Sequence, residues 1–448
     1  MPAGGGLLQL VAEGKQDVFL TGNPQITWFK MVYRRYTNFA IESQAIFFDG
    51  DPDFGKRLTC TIPRRGDLLG PLMIEVTLPE IRLTDDSLTA YVNAVGHALI
   101  EEIVLEIGEQ EIDRQTGEWM EIWSELTIPA GQRQGFNAMI GRVSATMPPP
   151  TTYPPLTDAV SLYGSYQYGA TKLYIPLQFW FNKNPGLYLP LLAMQYHNVR
   201  LNVKLRSLAQ LVFPFTAGIL PGANNCPVVR NPKLTKIIDI RMYGDYIHLG
   251  VEERRRFTSH SHEYLIEQIQ YTPKISIPAA NPTATIPIEF NHPVREMIFI
   301  LQRDAMTSYN EWFNFSSTSI QESGGRRDLL QQAVLQLDGY DRFEIRDAGY
   351  FRIVQPFQYH TNIPVDQFIY CYSFALKPEE LQPSGSLNAS RIDAMKLLLA
   401  MRPDPPSTLP VTDPNYVPPR GNVSIRIYAT NHNVLRIVNG FAGLLFKI

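Results

Sequence analysis

The chain has 448 residues and a formal net charge of −3, from 40 Lys plus Arg against 43 Asp plus Glu. At 44% hydrophobic and 19% charged residues its composition is globular rather than disordered, and it lacks the basic field of a protein that coats nucleic acid. Its 35 prolines, about 8% against a usual ~5%, argue against long helices, since each removes a backbone donor and crowds the preceding turn.

In chain order, residues 1–25 read as an arm preceding the first domain, and Met1–Leu10 lack the cationic start and apolar run of a secretory signal. No stretch reaches the ~20 apolar residues of a membrane span. Leu58, Cys60 and Ile62, then Leu72, Ile74, Val76 and Leu78, fall at every second position. That period gives a strand one dry face and one wet one. Trp119, Ile122, Trp123 and Leu126 lie at i, i+3, i+4 and i+7 and predict a short amphipathic helix over 118–126. Met147–Pro155 (MPPPTTYPP) predicts an extended loop. Alternation returns at Leu173, Ile175, Leu177, Phe179 and Phe181, and again at Val199, Leu201, Val203 and Leu205. Val251–Phe257 (VEERRRF) reads as a helical turn or a charged connector. Further strands are predicted around Met297/Phe299/Leu301, Phe368–Leu376 and Val423/Ile425/Ile427, with a proline-rich loop over Arg402–Pro419.

The pattern also repeats. Residues 103–122 (IVLEIGEQEIDRQTGEWMEI) match 333–353 (AVLQLDGYDRFEIRDAGYFRI), with Leu105 opposite Leu335 and Gly117 opposite Gly349. Ile240–Tyr243 (IRMY) matches Ile425–Tyr428 (IRIY) in the same order. Two similar β domains in tandem follow: residues 26–249 and 264–448, joined by a linker at 250–263. Domains of this size with some eight strands predict an all-β chain of two tandem jelly rolls with few short helices.

Candidate chemistry is sparse. The three cysteines, Cys60, Cys226 and Cys371, are far apart and make neither a metal pattern nor a disulfide framework. His260, His262 and Glu263 cluster in the linker, where solvation accounts for them better than a metal site. Gly14-Lys15 lacks the rest of a phosphate loop. Glu101 and Glu102 are adjacent on a strand and point to opposite faces, so they cannot serve one substrate. The expectation is therefore no catalytic, cofactor or metal site, and a protein whose function is its surface. The alternative is a lectin-like or cupin-like two-domain β-sandwich binding glycans. Asn314, Asn388 and Asn422 head N-x-S/T triplets and are weak candidates for glycan attachment.

Four blocks then carry a resemblance: Gly4–Ser43 (GGGLLQLVAEGKQDVFLTGNPQITWFKMVYRRYTNFAIES), Glu253–Gln270 (ERRRFTSHSHEYLIEQIQ), Tyr372–Asp393 (YSFALKPEELQPSGSLNASRID) and Asn433–Phe446 (NVLRIVNGFAGLLF). In these the chain resembles the major capsid proteins of nucleocytoplasmic large DNA viruses, and in its modest loops the smaller chlorovirus-, iridovirus- and marseillevirus-like members. The resemblance implies a double jelly roll and a homotrimer that fills one pseudo-hexagonal capsomer. Neighbouring capsomers would tile an icosahedral virion shell, assembled in the host cytoplasm, over an internal membrane touched only indirectly. Minor capsid and penton proteins would be the other partners, with no direct nucleic-acid contact. Three-fold closure calls for a ring-closing heterologous interface, expected to bury more than ~2,000 Å² per pair. Tyr153, Tyr163, Tyr166 and Tyr168 are candidates for that contact or for an outward tower. Leu7, Leu8, Leu10, Val11, Val18 and Phe19 are the candidates by which the arm docks on a neighbour beneath the capsomer.

Overall fold

A computed structural model describes residues 5–25, 33–81, 91–142, 171–212, 233–319, 326–403 and 419–446. It divides into two units, Met1–Asn38 and Phe39–Ile448. In the first, the arm forms two helices, α1 (Gly5–Val11) and α2 (Lys15–Thr21). Asp17 Oδ2 accepts from Gly14 N at 2.9 Å and closes the first turn of α2. The sequence analysis assigned no helices to this segment.

The second unit is built from antiparallel strands. Its first half carries β1 (Phe39–Ile46), β2 (Arg57–Thr61), β3 (Leu68–Leu78), β4 (Ile100–Ile107), β5 (Gln110–Thr116), β6 (Thr171–Pro176), β7 (Val199–Leu205) and β8 (Asp239–Leu249). They make two sheets, ordered β1-β8-β3-β6 and β2-β7-β4-β5. The first, eighth, third and sixth strands thus share one sheet and the remaining four the other, which is the jelly-roll winding. The alternating residues dictate the packing. In β7, Val199, Leu201, Val203 and Leu205 are buried and the intervening residues half-buried. In β3, Leu72, Ile74, Val76 and Leu78 face the same core.

The second half repeats the winding with β9 (His262–Tyr271), β10 (Ile275–Ile277), β11 (Thr283–Ile288), β12 (Pro293–Arg303), β13 (Leu330–Leu337), β14 (Tyr340–Asp341), β15 (Arg346–Asp347), β16 (Tyr370–Ser373), β17 (Leu387–Asn388), β18 (Met395–Met401), β19 (Val423–Val438) and β20 (Phe441–Leu444). One sheet runs β10-β19-β12-β16, with β9 also on β19; the other runs β11-β18-β13-β14, with β15 also on β13. Each of the first roll's strands finds its counterpart: β1 in β9 and β10, β3 in β12, β5 in β14 and β15, β8 in β19. The fold is a double jelly roll. Among the described residues no strand pairing crosses from one roll to the other, so their junction is made by side chains and by isolated backbone hydrogen bonds such as Tyr196 N to Gly440 O at 3.1 Å and Asn362 N to Leu126 O at 2.9 Å. The charged connector is the helix Val251–Ser259.

The matched sequence pair falls on matched structure. Residues 103–122 cover strand, turn, strand and the start of a helix: β4, β5 and α4 (Gly117–Thr127), after α3 (Val95–Leu99) has led into β4. Residues 333–353 cover β13, β14 and β15 and enter a π turn (Tyr350–Val354) that runs into an α-helix (Gln355–Tyr359). Helix α4 spans Gly117–Thr127. Thr116 caps it by accepting from Trp119 N at 3.1 Å. Gly117 is required there because a Cβ would collide with the carbonyls of His97 and Ile100.

Candidate assembly interface

The element that joins the rolls is α4. Its apolar stripe of Trp119, Ile122, Trp123 and Leu126 is buried against Ile298 and Ile300 of β12, Cys371 of β16 and Tyr428 of β19. The Trp119 and Trp123 rings lie 5.3 Å apart, and Trp119 is tilted on Tyr428 at 5.4 Å. This explains β12, which is buried on both faces from Val294 to Arg303: Met297, Phe299 and Leu301 fill their own roll's core, while Ile298 and Ile300 meet α4. The sequence analysis read that strand as one-sided. Its uninterrupted apolar run MIFIL was the available signal that both faces are covered.

Charged groups thread the same seam. Glu118 Oε2 accepts from Arg426 Nη1 at 2.7 Å and from the Tyr428 hydroxyl at 2.6 Å, with Lys274 Nζ 3.8 Å from its other oxygen. Burial raises the Glu118 pKa, but Lys274, Arg426 and the Tyr428 hydroxyl outweigh it and hold the group below the ordinary 4.5. Tyr428 moves the other way, well above 10, through burial and the adjoining Glu118. Farther along, Glu267 pairs with Arg295 at 2.7 Å and with Lys183 at 3.0 Å. Against the upward push of burial, these two cations bring its pKa to about 2. Lys183 also lies 4.3 Å over the Trp123 ring. Asp113 accepts from Ile269 N at 3.1 Å, and burial lifts its pKa to about 6. The Trp312 indole donates to Gln210 O at 2.8 Å, and Asn310 Nδ2 donates to Ala209 O and Val212 O at 2.8 Å each. Lone buried charges are costly and paired ones fix geometry. These contacts hold the two rolls in one arrangement.

The other predicted residues are scattered. Asn314 is buried, its amide donating to Glu311 Oε2 at 2.6 Å and Thr318 O at 3.0 Å. Asn388 is exposed in β17, and Asn422 is exposed just before β19 with Oδ1 accepting from Ala279 N at 3.0 Å. In the arm, Leu8, Leu10, Val11, Val18 and Phe19 are exposed. The side chain of Leu7, Tyr153, Tyr163, Tyr166, Tyr168 and Cys226 lie outside the described residues. His262 Nε2 lies 2.8 Å from Phe257 O and His260 Nδ1 3.1 Å from Arg256 O, so both engage the connector helix. Glu101 pairs with Lys204 and Glu102 with Arg114. Cys60 and Cys371 are buried free thiols. Sequence reasoning missed an exposed apolar surface on the second roll, made by Ile353, Val354, Phe357, Ile363 and Val365.

With this geometry in view, the comparisons with known proteins decide the family. Residues 27–250 match the family model for the major capsid protein N-terminus, and residues 253–443 match that for the large eukaryotic DNA virus major capsid protein. The major capsid protein of Pyramimonas orientalis virus is 37% identical, over 99% of this chain and 100% of its own, and that of Phaeocystis pouchetii virus 36% identical over 99% of both. The chain belongs to the major capsid proteins of large eukaryotic DNA viruses. Among solved structures, a chain of the PBCV-1 virus capsid is 30% identical with a TM-score of 0.74, covering 94% of this chain and 100% of that one. The Faustovirus major capsid protein, at 12% identity and TM-score 0.70, shares the fold. As a capsid protein the chain is a structural component of the virion, and the lectin-like and cupin-like readings find no support.

Proposed function

We propose that three copies of this chain close into a ring of six jelly rolls, and that these rings tile the icosahedral shell. The carrying observation is the seam: two rolls of identical winding are locked by buried helix, strand and ion-pair contacts, so each chain supplies two fixed wedges. Three such chains fill a hexagonal position through a heterologous contact that closes on itself. The role is structural rather than catalytic.

The finer assignments belong to the same reading. Domain boundaries fall at 26–249 and 264–448 around the 250–263 linker. The arm docks through Leu7, Leu8, Leu10, Val11, Val18 and Phe19 on minor capsid proteins beneath the capsomer, above an internal membrane that the capsomer touches only indirectly, and penton proteins are further partners of the shell. Exposed apolar side chains on two short helices support that role, since terminal segments order on partners. Assembly takes place in the host cytoplasm, and Asn388 and Asn422 are the sequon residues with exposed side chains. Sedimentation equilibrium of the purified full chain at micromolar concentration tests the ring. The expected mass is three times the 50.9 kDa of one chain, with six-lobed particles in electron micrographs. A stable monomer overturns it. Deleting residues 1–20 should leave the trimer intact and impair shell assembly, and loss of the trimer itself would refute the arm assignment.

A further inference from the structure

The two rolls carry matching surfaces, and among the described residues only the second roll's is sealed beneath a helix. In the second roll, Tyr428 of β19 pairs across to Ile298 of β12, which pairs to Cys371 of β16. In the first roll, Tyr243 of β8 pairs to Met73 of β3, which pairs to Pro176 of β6. The shared IRMY and IRIY segments put these rows in one register: Arg241 sits opposite Glu75 as Arg426 sits opposite Ile300. Tyr428, Ile298 and Cys371 are sealed beneath α4 at 0–1% exposure. Tyr243, Met73 and Pro176 are all half-exposed.

The helical elements match too. After Gly117, α4 presents Trp119, Ile122, Trp123 and Leu126 to the seam. After Gly349, the helical segment 350–359 stands at the matching place in the second roll, turning Phe351 into its own core and leaving Ile353, Val354 and Phe357 outside it. Ile353, Val354 and Phe357 are exposed, Phe357 at 74%.

We infer that the 350–359 segment of one chain docks on the Tyr243–Met73–Pro176 face of a second copy, repeating between chains the contact that α4 makes within one. The inference rests on the ring of six rolls. In such a ring the step from first roll to second within a chain, and from second roll to the next chain's first, are the same rotation. The element that fills one step is then placed to fill the other. The occupant is a second copy because this chain carries both halves of the contact and its own α4 shows how they fit. The two seams differ in polarity. Tyr350 stands where α4 has Glu118, and Glu75 stands where β12 has Ile300, so the contact between copies is wetter and lacks the buried Glu118 network.

Phe357→Asp and Tyr243→Asp, made separately in the full chain, test this by sedimentation equilibrium beside the wild type. Both side chains are accessible in the single chain, so circular dichroism and melting temperature of the monomer should match the wild-type chain. Each variant should raise the trimer dissociation midpoint at least ~30-fold, the scale of a charged residue at an interface hot spot. A bis-maleimide should also join copies of a Phe357→Cys/Tyr243→Cys/Cys226→Ser chain into a ladder that stops at three. Wild-type trimer stability in both aspartate variants overturns this docking while leaving the ring intact. A monomeric wild type overturns both.

Discussion

Replacing Arg426 by Met strips Glu118 of its closest cation while keeping an apolar stem beside Tyr271, over which the guanidinium lies at 5.6 Å. Glu118 has 6% side-chain exposure, so its carboxylate cannot regain water. Removing one partner of a buried pair costs ~3–5 kcal/mol. Lys274 at 3.8 Å and the Tyr428 hydroxyl at 2.6 Å remain, which places the loss near ~3 kcal/mol. For domains of 150–250 residues that lowers the melting temperature by about 6–12 °C. The double variant Glu118→Gln/Arg426→Met removes the stranded charge and should recover to within ~1 kcal/mol of wild type. The pH dependence follows from the depressed Glu118 pKa. The stability it contributes is complete above the unfolded value of ~4.5 and is lost as pH falls through the lower folded value. Arg426→Met forfeits part of that contribution, so its deficit against wild type should shrink below pH ~4.5. Scanning calorimetry of wild type, single and double variants from pH 3.5 to 8 reads all of this. A single variant within ~1 kcal/mol of wild type, or a double variant no better than the single, refutes the seam as an electrostatically locked joint.

Three further outcomes follow from local geometry. Gly117→Ala should fail to fold or lose more than ~3 kcal/mol, because its Cβ meets two backbone carbonyls that cannot yield; soluble yield and melting temperature check it. His360, whose side chain is 1% exposed, lies 2.9 Å from Glu379 and 3.1 Å from Glu296. Burial lowers its pKa, but the Glu296 charge, with contacts to Cys371 and Glu379, carries it well above 6.5. Its contribution is therefore complete below pH ~6.5 and fades as pH rises through the folded value, so melting curves of wild type and His360→Gln should converge toward alkaline pH. Asn314→Ala should cost ~1–3 kcal/mol in urea unfolding, since its amide satisfies Glu311 and Thr318 in a buried loop, whereas Asn388→Ala, on the surface, should stay within ~0.5 kcal/mol.

Strands were legible where apolar and polar residues alternate strictly, though not every half-wet strand was read: β11 and β18 went unassigned, and the alternation over Leu173–Phe181 overran β6, which ends at Pro176 before a helical turn at Trp180–Lys183. The alternation in β7 and β3 predicted which residues turn inward, and the i, i+3, i+4, i+7 stripe of 118–126 predicted α4 to within one residue at each end. The repeat was legible because Gly117 and the IRMY and IRIY segments sit at positions that both rolls must build alike. The seam was not. A helix stripe shows that Trp119 and Trp123 are buried but not against what, and their partners Ile298, Cys371 and Tyr428 lie some 180 to 310 residues farther along the chain. The ion pairs were invisible for the same reason: Glu118 and Arg426 look like ordinary surface charges until the fold brings them to 2.7 Å. The arm helices went unassigned because a run of only seven residues gives too little periodicity to separate a helix from a coil.

The contrast between β12 and β3 bears on why a capsid would fuse two rolls in one chain. Both strands occupy the same place in the same winding, yet β12 turns Ile298 and Ile300 outward, where β3 turns Met73 and Glu75. An apolar outer face is tolerable only under permanent cover, and α4 of the same chain gives β12 that cover from the moment of folding. A face that waits for another copy must stay soluble meanwhile, which favours the charged and half-exposed set on β3. In the ring proposed above, fusion would make every second seam a hydrophobic core within one chain rather than a wet interface between copies.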